Sequence, residues 1–267
     1  MRVRFFKLCY IFVLFIMSCS GNNELRSKIE ELKRIGDAHP DSALVLLHYL
    51  DEQTDITDKH TQNTYKMLSI RLRDKAYIKA TSDKEVKEVL EYFENNGNWN
   101  EKQEANYYAG SVYRDLDDVP RALTLFLRSI ECAEQGSQID SVLLRNTYSQ
   151  LYALYFGVQD YSNALIMARK ESVVAEKLHI LDTSTILHEG ATLLRLDSTS
   201  AAKKNVLRAF LYAEKPDGIA DIYSLSSLLY QLSSLGYVEE SYTCYKHIKE
   251  IQKTHDLPVS TYLALGK

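Results

Sequence analysis

Turn-forming residues are scarce, with 10 Gly and 4 Pro in 267 residues, against an average combined usage of about 12 %. A β-sandwich or barrel needs a turn every ~8–12 residues, so the chain has too few to be a file of short strands. Positive charge is not in excess either. Lys and Arg number 32 against 36 Asp and Glu, a net of -4. That leaves no surplus to neutralise a phosphate backbone, and nucleic acid is excluded as an expected partner. Four cysteines are too few for the disulfide framework of a small exported domain. Nothing approaches the ~18 consecutive apolar residues of a spanning helix. What remains is an ordinary globular composition, 45 % apolar and 25 % charged.

The N-terminus reads as an address. Arg2, Arg4 and Lys7 precede an unbroken apolar run, Leu8 to Met17, which is too short to span a bilayer but fits the apolar core of a signal peptide. The run ends in Ile16-Met17-Ser18-Cys19, which resembles a bacterial lipobox, with Met17 as its one departure. The resemblance implies cleavage after residue 18, lipidation of Cys19, and a short tether over residues 19–24 before a folded body spanning 25–267. Ser20, where an Asp would favour inner-membrane retention, points to the outer membrane of a bacterial envelope. A plain signal peptide with a chance cysteine is the competing reading. Two cysteines remain in the body, Cys132 and Cys244, and both read as small buried helix residues.

From Glu24 onward apolar residues fall at three- and four-residue steps, as in Leu25, Ile29, Leu32, Ile35 and in Val86, Val89, Leu90, Phe93. That is helical spacing, unrivalled by any sustained period of two. Pro40 and Pro120 suit first-turn positions, and Gly97, Gly136, Gly157 and Gly236 suit helix ends. The stretch YYAGSVYRDLDDVPRALTLFLRSIECA then sets Gly110 three residues before Tyr113, and Ala122 four before Phe126. Both steps match a tetratricopeptide repeat (TPR), whose first helix carries G-x2-Y and whose second opens A-x3-F. Small residues at 110 and 122 let two helices cross closely, while Tyr113 and Phe126 fill the space around the crossing. The register recurs through Tyr155 and Ala164, Gly190 and Ala202, and Ser241 and Tyr245. The small second-helix residues 122, 164, 202 and 241 lie 42, 38 and 39 positions apart, longer than the usual ~34. The expected fold is all-α, a right-handed α-solenoid of antiparallel helix pairs, with its clearest repeats at about 103–136, 145–178, 183–216 and 222–255.

Three further segments make the resemblance more specific: HPDSAL (39–44), RDKAYIKATSD (73–83) and YRDLDDVPRAL (113–123). Together with Cys19 they resemble the Bacteroidales-type TPR lipoproteins. That implies an exported envelope protein, in a family whose members often continue into a membrane span and a signalling segment. A sensor half of such a protein, ending at Lys267 within the start of another helix (259–265), is therefore an alternative. Glycan capture ranks lower, since Trp99 is the only Trp and no long insertion carries aromatic platforms.

Chemistry is not indicated. The seven histidines include no i, i+4 pair and no HExxH. The acidic stretch 115–118 lacks the central Gly and closing Glu of a calcium loop and reads as a turn with Asp118 near an N-cap. No phosphate loop or nucleophile elbow is present. No enzyme activity, cofactor or metal is expected. The expected function is recognition of a peptide or partner protein by the first helices of the repeats. The register places Tyr107, Ser111 and Arg114, then Asn146, Ser149 and Ala153, then Ser184 and Leu187, then Tyr223, Ser226 and Tyr230, on that face. With 19 Tyr in the chain, several must serve packing between repeats and not the ligand.

Overall fold

The computed structural model describes residues 24–53, 56–137, 139–214 and 221–252, so Cys19 and the signal segment lie outside the described residues. Among the described residues all regular structure is helical. Helix α1 covers 24–38. It is followed by α2 (Pro40–Gln53), α3 (Lys59–Lys75), α4 (Lys84–Asn96), α5 (Trp99–Asp115) and α6 (Val119–Gln135). Then come α7 (Ser141–Gly157), α8 (Tyr161–Lys177), α9 (Thr183–Arg195), α10 (Thr199–Ala213), α11 (Ile222–Ser234) and α12 (Val238–Gln252). The chain divides into two compact units at residues 138 and 139.

One turn design links the two helices of successive pairs. After α5, Asp117 takes a left-handed φ of 59°, Asp118 N donates to Tyr113 O at 2.9 Å and Asp117 N to Arg114 O at 3.1 Å. This is a Schellman closure, which satisfies carbonyls that the helix end leaves unpaired. The same pair of bonds recurs after α7 around Gln159, after α9 around Asp197 and after α11 around Gly236. Each left-handed residue stands five positions before a small second-helix residue, namely Ala122, Ala164, Ala202 and Ser241. Only one of the four is Gly. Helix starts are as regular. Asp58, Asp118, Asp140, Asp160, Asp182 and Asp221 each accept the N–H three residues on, and Asn98 forms a capping box with Glu101. Each such cap stabilises its helix by roughly 1 kcal/mol.

In the first unit α5 is the central helix, packed by α3, α4 and α6, and every residue from Gln103 to Tyr113 is buried. Gly110 is what allows this. A Cβ there would sit 2.9 Å from the ring carbons of Phe126, itself fully buried. Helix α1 closes the other side, with Leu25, Ile29 and Leu32 against Ala43, Leu47, Leu68 and Leu72. A second close approach occurs here, since a Cβ on Gly36 would run into the side chain of Leu72.

In the second unit α7 pairs with α8, α9 with α10 and α11 with α12, and first helices touch in succession, α7 with α9 and α9 with α11. Its core gathers Ile186, Leu187, Val206, Ala209, Leu225, Leu228, Leu229, Leu232, Cys244 and Ile248. Both body cysteines are buried and free. Burial, then the nearby Glu214 charge, push the Cys244 thiol up to about 12, and its Sγ donates to Leu225 O at 3.2 Å.

Candidate functional site: a cavity beside the central helix of the first unit

The repeat-packing residues lie where close crossing demands. Gly110, Tyr113, Ala122 and Phe126 are buried in the first unit, and Ala164, Gly190 and Ala202 in the second. Tyr155, Ser241 and Tyr245 are half-buried. Tyr245 packs against the core of the second unit, and Ser241 Oγ donates to Tyr237 O.

The residues assigned to the binding face are distributed differently. Tyr107 is buried, edge-on to Tyr108 and Phe126 at 4.9 and 5.5 Å, so it acts in packing. Leu187 is 2 % exposed and Ser226 turns its hydroxyl back onto Ile222 O at 2.6 Å. Asn146, Ser149 and Ser184 are half-buried, Ala153 is exposed, and Tyr223 and Tyr230 stand out at 63 % and 44 % exposure. Ser111 lines a cavity in the first unit, and Arg114 lies behind its wall, holding the lining residues Asp74 and Asp115.

That cavity holds about 600 Å³, within the range of small-ligand pockets. Ile70, Val86 and Val112 supply apolar wall from α3, α4 and α5, and the helix-free stretch 78–82 runs along the side. Its position follows from local chemistry. Helix α3 ends at Tyr77 in the left-handed region, φ 57°, with Ile78 N closing on Arg73 O at 2.9 Å. Ala80 N then donates to Asp115 Oδ2 at 3.1 Å, tying the stretch to α5. Arg114 donates to both Asp74 and Asp115, at 2.9 and 2.8 Å, and these contacts raise its pKa despite the opposing effect of burial. Glu85 pairs with Arg73, and Glu88 with Lys66 at 2.8 Å. Every acid in the wall therefore has a cation. Of the other cations in the wall, Lys84 joins Lys66 in holding the Glu88 carboxyl below its usual range, and Lys79 makes no ion pair among the described residues.

Ser111 is the wall's unusual member. It is 1 % exposed, and its Oγ has no hydrogen-bond partner among the described residues. Thr147 and Thr192, also buried in helices, fold back on the carbonyls of Leu143 and His188 four residues earlier, whereas Ser172 is left unpaired like Ser111. A buried hydroxyl left without a bond costs about 1–3 kcal/mol.

Two buried charge clusters escaped the sequence reading. In the first unit Glu104 accepts from Arg71 at 2.9 Å and Lys33 at 2.6 Å, and Arg71 also reaches Asp37. Burial pushes the Glu104 carboxyl up, but Lys33 and Arg71 outweigh it and hold it below the ordinary 4.5. In the second unit the fully buried Glu171 meets His188 Nδ1 at 2.8 Å and Arg145 at 3.3 Å. Tyr152 stacks on the His188 ring at 4.1 Å, and Ser184 Oγ lies 3.5 Å from its Nε2. Arg145 also bonds Asp182 and Thr185 at 3.0 and 2.7 Å, which ties α7 to α9. Such pairs have no sequence signature, because their partners lie 14 to 71 positions apart.

No protein-family model matches the chain, and no curated protein matches it in sequence. Solved structures do match in fold. A Rap protein complexed with competence and sporulation factor is 14 % identical, with a TM-score of 0.60, covering 88 % of this chain and 67 % of that one. BtubC from P. vanneervenii is 12 % identical, TM-score 0.58, covering 88 % and 92 %. Acl4, an assembly chaperone of RpL4 (residues 1–338), is 14 % identical, TM-score 0.54, covering 91 % and 94 %. The fold is a TPR-like helical repeat. This agrees with the all-α solenoid that the register of residues 110, 122 and 126 predicts. At these identities the likeness extends to the fold and no further.

Proposed function

We propose that this chain is a non-enzymatic recognition protein, binding a peptide or partner protein through the first-helix surfaces of its TPR-like repeats and held in a bacterial envelope by lipid on Cys19. The observation that carries the recognition reading is the first unit's cavity, about 600 Å³ of open space between α3, α4 and α5 walled by apolar side chains and paired ions. The structural neighbours support the reading by analogy of fold, one being complexed with a factor and another an assembly chaperone of a named protein. The address rests on the sequence, through the lipobox Ile16-Met17-Ser18-Cys19 and the resemblance to Bacteroidales-type TPR lipoproteins.

Crosslinking in intact cells, followed by mass spectrometry of co-purified proteins, tests recognition. A reproducible partner that is lost on Lys79→Glu/Lys84→Glu supports it, and an unchanged set of partners in that variant rejects it for this cavity. The anchor is tested separately by Cys19→Ala, which releases the protein from membranes if lipid holds it there.

A further inference from the structure

In the second unit the second helices of two successive repeats share an unbalanced charge. On α8 the exposed side chains include Arg169, Lys170, Glu176 and Lys177, and on α10 they include Lys203, Lys204 and Arg208. Six exposed cations thus stand against one exposed carboxylate on these two helices, in a chain whose net charge is -4. Helix α10 contains no Asp or Glu at all. The acids around the face are already held. Glu171 is buried, Glu176 binds Arg208, Glu189 of α9 binds Arg169 at 2.7 Å, and Glu214, just beyond α10, meets His247 at 3.2 Å. Lys170 lies over the Tyr148 ring at 5.5 Å. Lys177, Lys203 and Lys204 make no ion pair among the described residues.

Aliphatic side chains stand between these cations. Ile166 and Val173 of α8 are exposed, and Leu211 of α10 is 64 % exposed. Leu207 and Leu211, with Leu181, Tyr212, Lys204 and Arg208, line an open depression of about 600 Å³. The Arg208–Glu176 pair joins α10 to the end of α8, and the Tyr212 hydroxyl donates to Leu181 O at 2.5 Å, so the two helices present one face.

We propose that this face docks on a lipid bilayer with anionic headgroups. The cations meet headgroup phosphates, while Ile166, Val173, Leu207 and Leu211 enter the boundary between headgroups and acyl chains. Cations interleaved with aliphatic residues are how a helix is held in that boundary, and each Lys or Arg near an anionic surface strengthens binding about fivefold. The charge is spread over two helices, which suits a broad anionic sheet better than a single bound chain. This face belongs to the second unit, apart from recognition at the first unit's cavity, and it does not need the anchor. Salt weakens such docking, whereas it leaves lipid on Cys19 in place.

The test is methyl NMR of the full chain with nanodiscs bearing a headgroup spin label, made of phosphatidylcholine alone or mixed with phosphatidylglycerol. The methyl signals of Ile166, Val173, Leu207 and Leu211 are expected to lose more than half their intensity in the anionic discs and far less in the neutral ones. Val142, exposed on α7, should lose less. The quenching should weaken several-fold between about 50 and 500 mM salt. Lys203→Glu/Lys204→Glu, at exposed positions that leave the thermal melt unchanged, should return the signals to their level in neutral discs, and Leu211→Ser should weaken the quenching a few-fold. Cys19→Ala should keep it, so that failure of the anchor and failure of this face are told apart. Equal quenching in both discs, or quenching centred on Val142, overturns the proposal. If soluble poly-glutamate shifts these methyls and the anionic discs do not quench them, the face serves an acidic protein and bilayer docking is rejected.

Discussion

The two units use a glycine at the same step of the repeat and seal it differently. In the first, Gly110 lies against one side of the Phe126 ring, which is rigid and fully buried. In the second, Gly190 lies under the side-chain oxygens of Gln231 and Asn205 and a methyl of Val206, at 2.8, 3.1 and 3.1 Å. Both amide oxygens are buried without hydrogen-bond partners among the described residues. The lesson is that the register demands a small residue at the crossing but leaves open what covers it. An aromatic cover gives a tight apolar seam, whereas an amide cover leaves polar atoms incompletely satisfied.

The largest expected effects fall on the first unit. Phe126→Ala should destabilise by about 3–5 kcal/mol, by opening a cavity over Gly110. Hydrogen exchange read by mass spectrometry should show the lost protection in α5 and α6. Glu104→Gln belongs in the same range, because it sets Lys33 and the buried Arg71 against a neutral amide and leaves Arg71 only the half-exposed Asp37. Glu171→Gln should cost less, as Arg145 keeps Asp182, which is better buried than the Asp37 left to Arg71. Urea midpoints of the two variants rank them, and a reversed order would break the parallel between the clusters.

Alanine at the two glycines sharpens the contrast. Gly110→Ala gains up to ~1 kcal/mol of helix propensity but forces a buried ring to move, for a net loss of about 1–2 kcal/mol. Gly190→Ala meets the movable end of Gln231 and should lie within ~1 kcal/mol of neutral. Equal losses in thermal denaturation would show that the amide cover is as rigid as the ring.

Acid should act on the first cluster. Glu104 has its pKa lowered in the folded state, so its contribution is complete above the ordinary carboxyl value of 4.5 and disappears as pH falls through the lowered one. Urea denaturation between pH 6 and 3 should show this loss, and Glu104→Gln should flatten it. The smallest effect belongs to the turns. Gln159→Gly, at φ 63°, relieves a left-handed side chain and should stabilise by up to ~1 kcal/mol, whereas Gly236→Ala, at φ 81°, should do the reverse.

Much of this fold is legible in the sequence because close helix crossing requires particular residue sizes at fixed steps, and 110, 113, 122 and 126 satisfy them. The aspartate that starts α6 can be read as well, since a cap is a local device. Left-handed turn residues are harder to see when Asp and Gln occupy positions that favour Gly. The site was less legible. The register places Tyr107 and Ser111 on one face, yet one became packing and the other cavity wall, because α5 is covered by α3, α4 and α6 together. The segment Arg73 to Asp83 stood out only as a resemblance, and its role emerges once Asp115, 35 positions from Ala80, holds it in place.

The most direct test is methyl-labelled NMR of the full chain, titrated with the partner protein recovered by crosslinking. Recognition at the first unit's cavity should shift Ile70, Ile78, Val86 and Val112 and leave Ile186 and Ile248 of the second unit unmoved. Shifts confined to the second unit, or none at any methyl, would contradict it.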